Sequence, residues 1–307
     1  MRSHFSAPES NLNCTAIIVN YNAGKLLANC VNSALSSGIT HIIIVDNASF
    51  DGSINKLSSI DSKQLSVIQN DKNLGFAAAC NIGYSQAKTD FVLFLNPDCQ
   101  LDESSVATLI KALQSNPKVG MVGGLLSNSD GSEQAGGRRA IPTPWRSFVR
   151  AFGLYPLAKY WPQIFFDFHL HKQPLPSHPV EVEAISGACM LVKREAIEDV
   201  GLWDEAYFLH CEDLDWCMRF HQKDWKILFV PDAKITHALG ACSKSRKIFV
   251  EWHKHKGMLR FYNKFFQQQY PGPLMGLVIV GVSFRFLLVA AYFSGQRLLN
   301  NLKTLLK

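Results

Sequence analysis

The sequence predicts an α/β fold: a mostly parallel β-sheet with helices on both faces. Short runs rich in Val, Ile, Leu and Phe recur at residues 15–19, 41–45, 65–68, 91–95 and 119–122, each about the length of a buried strand. Helical spacing fills several of the intervals, and strands that alternate with helices assemble into parallel crossover units. At 307 residues the chain is long enough for one large domain of this kind with an appendage. In such a sheet ligands gather at the carboxyl ends of the strands, so the residues directly after each run are where chemistry is expected.

Residues 1–13 form a polar tail with no apolar stretch behind its one arginine, which excludes a signal peptide there. After the first run, Leu26, Leu27, Cys30, Val31, Ala34 and Leu35 follow the three- and four-residue spacing of a helix. Residues 75–88 and 103–115 read as the next two helices. From 128 to 179 the periodicity fails among Gly, Pro and aromatic residues, which predicts a long irregular insertion of the kind that carries function. Order resumes at 180–192. Residues 212–222 read as a helix, 226–230 and 233–236 as two short strands, and 247–269 as a long basic, aromatic helix. A catalytic domain is therefore expected over 14–245, followed over 246–307 by the basic helix and membrane-associated helices.

Residues 273–293 form a 21-residue apolar stretch interrupted by Ser283 and Arg285, long enough to cross a bilayer core of about 30 Å. A mid-helix arginine costs about 2.5–3.5 kcal/mol on insertion scales, so spanning, re-entrant and in-plane placements all stay open. Leu298, Leu299, Leu302, Leu305 and Leu306 share one helical face, as in an interfacial helix, while a core helix packed on the domain would read similarly. The composition, 47% hydrophobic and 18% charged, suits membrane contact. The net charge of +6 concentrates in the last third, at Lys244, Arg246, Lys247, Lys254, Lys256, Arg260 and Lys264, which suits anionic lipid or a phosphorylated substrate. Eight cysteines lie scattered without tight repeated spacing, as expected of reduced thiols in a cytosolic domain.

Two acidic clusters fall at strand ends. Asp46, in VDNASFDGS, can accept hydrogen bonds from a nucleotide base or ribose; the same residues also make a good turn and helix cap. Asp98, in LNPD after the apolar FVLFL, suits a hard cation that takes one or two protein oxygens and keeps its other positions for water and phosphate, though Asn-Pro-Asp is also a common turn. A third cluster, Glu212, Asp213 and Asp215, sets three carboxylates within four residues. They repel unless a cation or proton compensates, which points to raised pKa values and catalysis, or else to an acidic first turn favoured by the helix dipole. His237 ends a short strand and offers an imidazole to a metal or diphosphate, or is structural. Asn73-Leu74-Gly75-Phe76 opens a helix with a glycine that allows close approach, but no phosphate-cradling loop or dinucleotide fingerprint is present, which argues against kinases and dehydrogenases.

In this order the segments resemble family 2 glycosyltransferases of the GT-A fold, most closely the bacterial rhamnosyltransferase branch. The resemblance covers roughly residues 14–240 and is carried by IIVNYN, VDNASFDGS, NLGFAAACNIG, LNPD, SGACMLVKREAIEDVGLWDEAYF and EDLDWCMR. It implies that Tyr21, Asp46 and Asn73 hold the donor, and that Asp98 binds Mg2+ or Mn2+ as the second aspartate of the family's Asp-x-Asp motif. Here Asn96 replaces the first, so help from His237 gains weight. It also implies that Asp213 is the general base, with Glu212 beside it. Arg138 and Arg139 are candidates to grip the donor diphosphate or a phospholipid acceptor, or are plain surface arginines.

The expected reaction is a single displacement with inversion. A sugar, best read as rhamnose from dTDP-rhamnose, passes to a lipid-linked or polysaccharide acceptor at the cytoplasmic face of the inner membrane, with no nucleic acid involved. A sugar-nucleotide nucleotidyltransferase would show a glycine-rich loop ending in a basic residue after the first strand, where this chain has VNYNAG. A non-catalytic membrane scaffold of the same fold is expected to lack the carboxylates Asp98 and Asp213.

Overall fold

The computed structural model describes residues 12–58, 60, 63–238 and 246–305, with side chains through 299. Most of the polar tail, Cys242, Lys244 and the side chains of Leu302, Leu305 and Leu306 lie outside the described residues.

The chain runs β1 (Cys14–Asn20), α1 (Lys25–Ser36), β2 (His41–Asp46), β3 (Leu65–Gln69), α2 (Phe76–Gln86), β4 (Phe91–Leu95), β5 (Cys99–Leu101), α3 (Ser105–Gln114) and β6 (Val119–Ser127). Next come β7 (Arg138–Arg139), α4 (Pro144–Ala151), β8 (Val180–Glu181), β9 (Ala184–Ile185), β10 (Cys189–Lys193), α5 (Arg194–Val200), α6 (Glu212–Gln222), β11 (Lys226–His237), α7 (Lys247–Phe266) and α8 (Gly272–Leu305). The main sheet is ordered β3-β2-β1-β4-β10-β6-β11-β5, with β8 beside β11.

β3, β2, β1 and β4 are mutually parallel, and β6 pairs parallel with β11; β10 lies antiparallel between β4 and β6. Parallel strands with common ends bring their last residues together: Asn20 pairs with Asp46, and Asp46 with Gln69. Because β10 runs the other way, its first residue, Cys189, stands beside Leu95, the last of β4. The turns that follow β4 and precede β10 therefore meet at one end of the strands, the carboxyl end of β4.

Side chains alternate across the sheet and build a core on each face. Leu27, Cys30 and Val31 of α1 and Val106, Leu109 and Leu113 of α3 cover one face. The other is covered by Ala77 and Cys80 of α2, Ala196 and Ile197 of α5, Leu214, Trp216 and Phe220 of α6, and Phe261, Tyr262 and Phe265 of α7.

Three regions differ from the sequence reading. The expected strands 226–230 and 233–236 are one strand, whose register with β6 shifts between Val230 and Lys234; the bulge absorbs Pro231, which has no N–H to give the ladder. Within 128–179, read as irregular, Thr143 caps α4 by accepting the Arg146 amide, and Pro144 fills the first turn. The stretch 273–293 and the described part of the next, 298–305, merge into the single helix α8. Its segment Gly272–Leu299 is long and apolar enough to cross a membrane, and the most apolar window of that segment is only 11% buried, unlike a core helix.

Candidate active site

At the carboxyl ends of β1 and β2, Asp46 accepts a hydrogen bond from Asn20 Nδ2 at 2.6 Å and from the Ser49 amide at 3.0 Å. Asn20 also donates to Ser49 Oγ and Ser53 Oγ, so the pair fixes the loop 46–53. Asn47 donates to the Gly75 carbonyl and accepts from Asn70, which ties this loop to the start of α2. Asn73 Oδ1 accepts from the Gly75 amide. Gly75 has φ +90°, and a Cβ there would lie 2.6 Å from the Phe208 carbonyl, so only glycine lets α2 begin against that loop. Tyr21, half-buried, follows β1 at the same edge.

Behind β4, Asp98 and His237 face each other, with His237 Nε2 3.2 Å from Asp98 Oδ1. The antiparallel pairing of β5 with β11 sets His237 opposite Cys99, and the Ala238 amide donates to the Asp98 carbonyl. Gln134 Oε1 lies 2.6 Å from His237 Nδ1, while its amide nitrogen donates to the His237 carbonyl and Asn128 Oδ1. This orientation places an imidazole hydrogen on Nδ1 and turns Nε2 toward Asp98, with room between them for either a proton or a cation. Cys99 completes a cluster whose ligand atoms lie within 4.8 Å of one another. Burial pushes the Cys99 thiol well above its usual range, so it stays protonated and is a poor partner for a hard cation. Gln134 sits in the segment without periodicity, where the sequence carries no signal for it.

The third cluster starts α6. His210 and Cys211 both adopt left-handed backbone, with φ 69° and 70°, an uncommon arrangement for two successive non-glycine residues. The helix that follows gives its three carboxylates different surroundings. Asp213 forms an ion pair with Arg139 and accepts from the Gly187 amide at 3.2 Å. Glu212 is buried, and its Oε2 has no hydrogen-bond partner among the described residues. Burial, and then the nearby Asp213 charge, push its carboxyl well above the ordinary range. Asp215 is fully buried, with Arg219 Nε at 2.7 Å and Lys264 Nζ at 2.6 Å.

One turn joins the last two clusters. The Asn96 amide donates to the Ala188 carbonyl at 2.9 Å, and the neighbouring Gly187 amide reaches Asp213. The turn 186–188 thus lies between the Asn96-Pro97-Asp98 turn and the carboxylate of Asp213.

The two expected arginines separate. Arg139 sits at Asp213, but Arg138 is only 4% exposed, makes a bidentate pair with Glu133, donates to the Gln173 and Pro174 carbonyls, and stacks over Phe229. Its guanidinium is buried and committed to partners within the protein. Alternation along the two-residue β7 points neighbouring side chains to opposite faces, so only one of the pair faces Asp213.

A family model described as Glycosyl transferase family 2 matches residues 15–201. The N-acetylglucosaminyl-diphospho-decaprenol L-rhamnosyltransferase of Mycobacterium tuberculosis (strain ATCC 25618 / H37Rv) is 28% identical over 207 residues, covering 64% of this chain and 66% of that protein. The dTDP-rhamnosyl transferase RfbF of Shigella flexneri is 25% identical over 257 residues, 82% of this chain and 77% of that one. Among solved structures, the mannosyltransferase PcManGT from Pyrobaculum calidifontis in complex with GDP-Man and Mn2+ superposes with a TM-score of 0.56 at 15% identity, over 96% of this chain and 81% of that one, a likeness of fold.

Proposed function

The chain belongs to glycosyl transferase family 2, and from that premise we propose that it moves rhamnose from dTDP-rhamnose to a lipid-linked or polysaccharide acceptor, with inversion, at the cytoplasmic face of the inner membrane. Two relatives named as rhamnosyltransferases support the sugar, and the one named for diphospho-decaprenol supports a lipid-linked acceptor. The apolar helix α8 supports the membrane.

The observation that carries the reading is the turn 186–188, which sets the Asp98–His237 pair and the Asp213 carboxylate on either side of one short backbone segment. Asp213 takes the proton of the acceptor hydroxyl as that oxygen attacks the anomeric carbon. The bond from that carbon to the diphosphate oxygen breaks on the opposite face, and its electron pair leaves with the nucleoside diphosphate. Arg139 and the Gly187 amide hold the base in place. Glu212 keeps its proton and so adds no second negative charge beside it.

Tyr21, Asp46 and Asn73 shape the donor end. Asp46 works chiefly through the loop 46–53, since both its oxygens are engaged within the protein. Asp98 Oδ1 and His237 Nε2 suit magnesium or manganese, because one carboxylate oxygen and one imidazole nitrogen leave the remaining positions to water and phosphate. Such an ion, when bound, neutralises charge developing on the leaving diphosphate.

The test is a panel of nucleotide sugars offered to the full chain with Mn2+ or Mg2+ and a polyprenyl-diphosphate-linked N-acetylglucosamine. Transfer from dTDP-rhamnose is expected. Consumption of a different nucleotide sugar with none of dTDP-rhamnose would reject the sugar assignment, and no transfer from any donor would reject the enzyme reading.

A further inference from the structure

The membrane reading above leaves the orientation of α8 open, and the packing of α7 constrains it. α7 is locked onto the catalytic domain. Lys264 reaches the fully buried Asp215, and Gly257 lies so close to the turn before α6 that a Cβ would sit 2.7 Å from the His210 carbonyl. α8 then folds back along α7 instead of leaving it. Met275 and Val282 are buried near its start, Phe286 meets Trp252 and His255 at ring distances of 5.3 and 5.6 Å, and Phe293 lies under Lys247 at 5.2 Å, at the beginning of α7. The two helices therefore run antiparallel side by side. If α8 crossed the bilayer in this arrangement, it would draw α7 into hydrocarbon with Lys247, Lys254, Lys256, Arg260 and Lys264, against the single acid Glu251.

The outer side of α8 is apolar and open, with Leu277, Val280, Phe284, Leu287 and Tyr292 each about 60% exposed. A second apolar surface adjoins its start. Trp145 and Phe148 of α4 and Phe152, which caps its end, follow helical spacing on one face and pack on one another at 5.5 and 4.5 Å while remaining exposed; Tyr160 and Trp161 extend the surface. The inner side of α4 is held by buried Val149 and by Ser147, hydrogen-bonded to Tyr262 of α7 at 2.7 Å. A cleft of about 510 Å³ joins Trp145 and Ile164 to Tyr270, just before α8. Between residues 144 and 172 stand nine aromatic residues, four Lys or Arg and one acid, the composition of a segment that enters an anionic lipid interface.

We propose that the protein is monotopic: α8 lies in the plane of one leaflet, and the aromatic face of 145–161 enters the same leaflet beside its first turn. The basic flank of α7 meets the anionic headgroups. The active site is thereby held at a fixed height above the membrane, and the chain never crosses it.

The proposal rests on membrane attachment through α8, and its test separates the two. The full chain carrying a C-terminal epitope tag is expressed in bacterial cells and treated with protease as intact spheroplasts and as inverted inner-membrane vesicles. The in-plane placement leaves the tag protected in spheroplasts and cleaved in inverted vesicles; the reverse pattern shows a spanning helix and overturns the proposal. Purified full chain is also reconstituted in vesicles of phosphatidylglycerol with brominated acyl chains. Trp145→Phe and Trp161→Phe should each remove part of the bromine-quenched emission, whereas Trp216→Phe, at a position fully buried in the domain core, should not. Quenching left unchanged by both substitutions would overturn the shared leaflet. Recovery of the chain in the soluble fraction of cells would instead refute the attachment on which the proposal stands.

Discussion

His237 turns Nε2 toward Asp98 Oδ1 at 3.2 Å because Gln134 holds the opposite ring nitrogen at 2.6 Å. A lone pair and a carboxylate at that separation repel unless a proton or a cation lies between them, so the buried pair stores an affinity for positive charge. Gln134 bears on the pair through its two contacts with His237. Gln134→Met should keep the packing but free the ring, weakening Mn2+ binding by about 10- to 100-fold, as read by manganese titration. Excess EDTA should abolish transfer by the unaltered chain. Equal Mn2+ affinity in the variant would remove Gln134 from the site.

Asp213 and Asp46 separate chemistry from donor binding. Asp213→Asn retains shape and loses the proton acceptor, so kcat should fall by about 10²- to 10⁴-fold while nucleotide affinity stays near that of the unaltered enzyme. Asp46→Asn sets an amide against Asn20 Nδ2 and the Ser49 amide, both donors. The loop 46–53 should loosen, and donor affinity should fall more than kcat. Steady-state kinetics with a nucleotide-binding titration on each variant distinguishes the two patterns.

Asp215 should behave as a structural residue. Its carboxylate is fully buried between Arg219 and Lys264, so Asp215→Asn takes one partner from each cation and should cost on the order of 1.5–3 kcal/mol of stability. Chemical denaturation of the variant in detergent measures this. Turnover per folded molecule should fall far less than in Asp213→Asn.

Asp204 completes the same network. Although partial burial works against it, hydrogen bonds from Lys264 and Arg260 hold its carboxyl down to about 2. The native state then binds fewer protons than the unfolded chain, whose aspartates titrate near 3.9. The contribution is present above about pH 4 and is lost as pH falls toward 2. Asp204→Asn should therefore flatten the acid limb of the stability curve between pH 4 and 2, seen as a smaller drop in melting temperature than in the unaltered chain.

The strands and helices were legible because each carries its own period: β4 matches the apolar run Phe91–Leu95, and α6 matches residues 212–222, where Leu214, Trp216, Cys217 and Phe220 turn inward. Strand order is not written in that period. The antiparallel insertion of β10 between β4 and β6, which brings Gly187 to Asp213, depends on contacts far apart in the chain. The same limit applies to the carboxylates. Spacing gives Glu212, Asp213 and Asp215 as equals, while Arg139, 74 residues away from Asp213, and Lys264, 49 residues away from Asp215, set them apart. α4 had a readable start in Thr143-Pro144, but its eight residues were too few for periodicity to show against the surrounding Gly, Pro and aromatic residues.

Glu212 offers the sharpest separation of roles within the catalytic turn. Burial and the neighbouring Asp213 charge raise its carboxyl, so the native state keeps a proton that the unfolded chain releases near pH 4.3. The native state then binds more protons, and the linkage sign makes stability fall as pH rises above that value, until the native carboxyl itself ionises. Glu212→Gln has the same shape and no proton to lose. Its melting temperature should match that of the unaltered chain near pH 4 and exceed it increasingly toward pH 8. Turnover at neutral pH should survive far better than in Asp213→Asn, because a carboxyl that already holds its proton cannot accept one from the acceptor. Parallel melting temperatures across that range would show Glu212 to be ionised in the native state. Loss of turnover in Glu212→Gln with retention in Asp213→Asn would transfer the role of general base to Glu212.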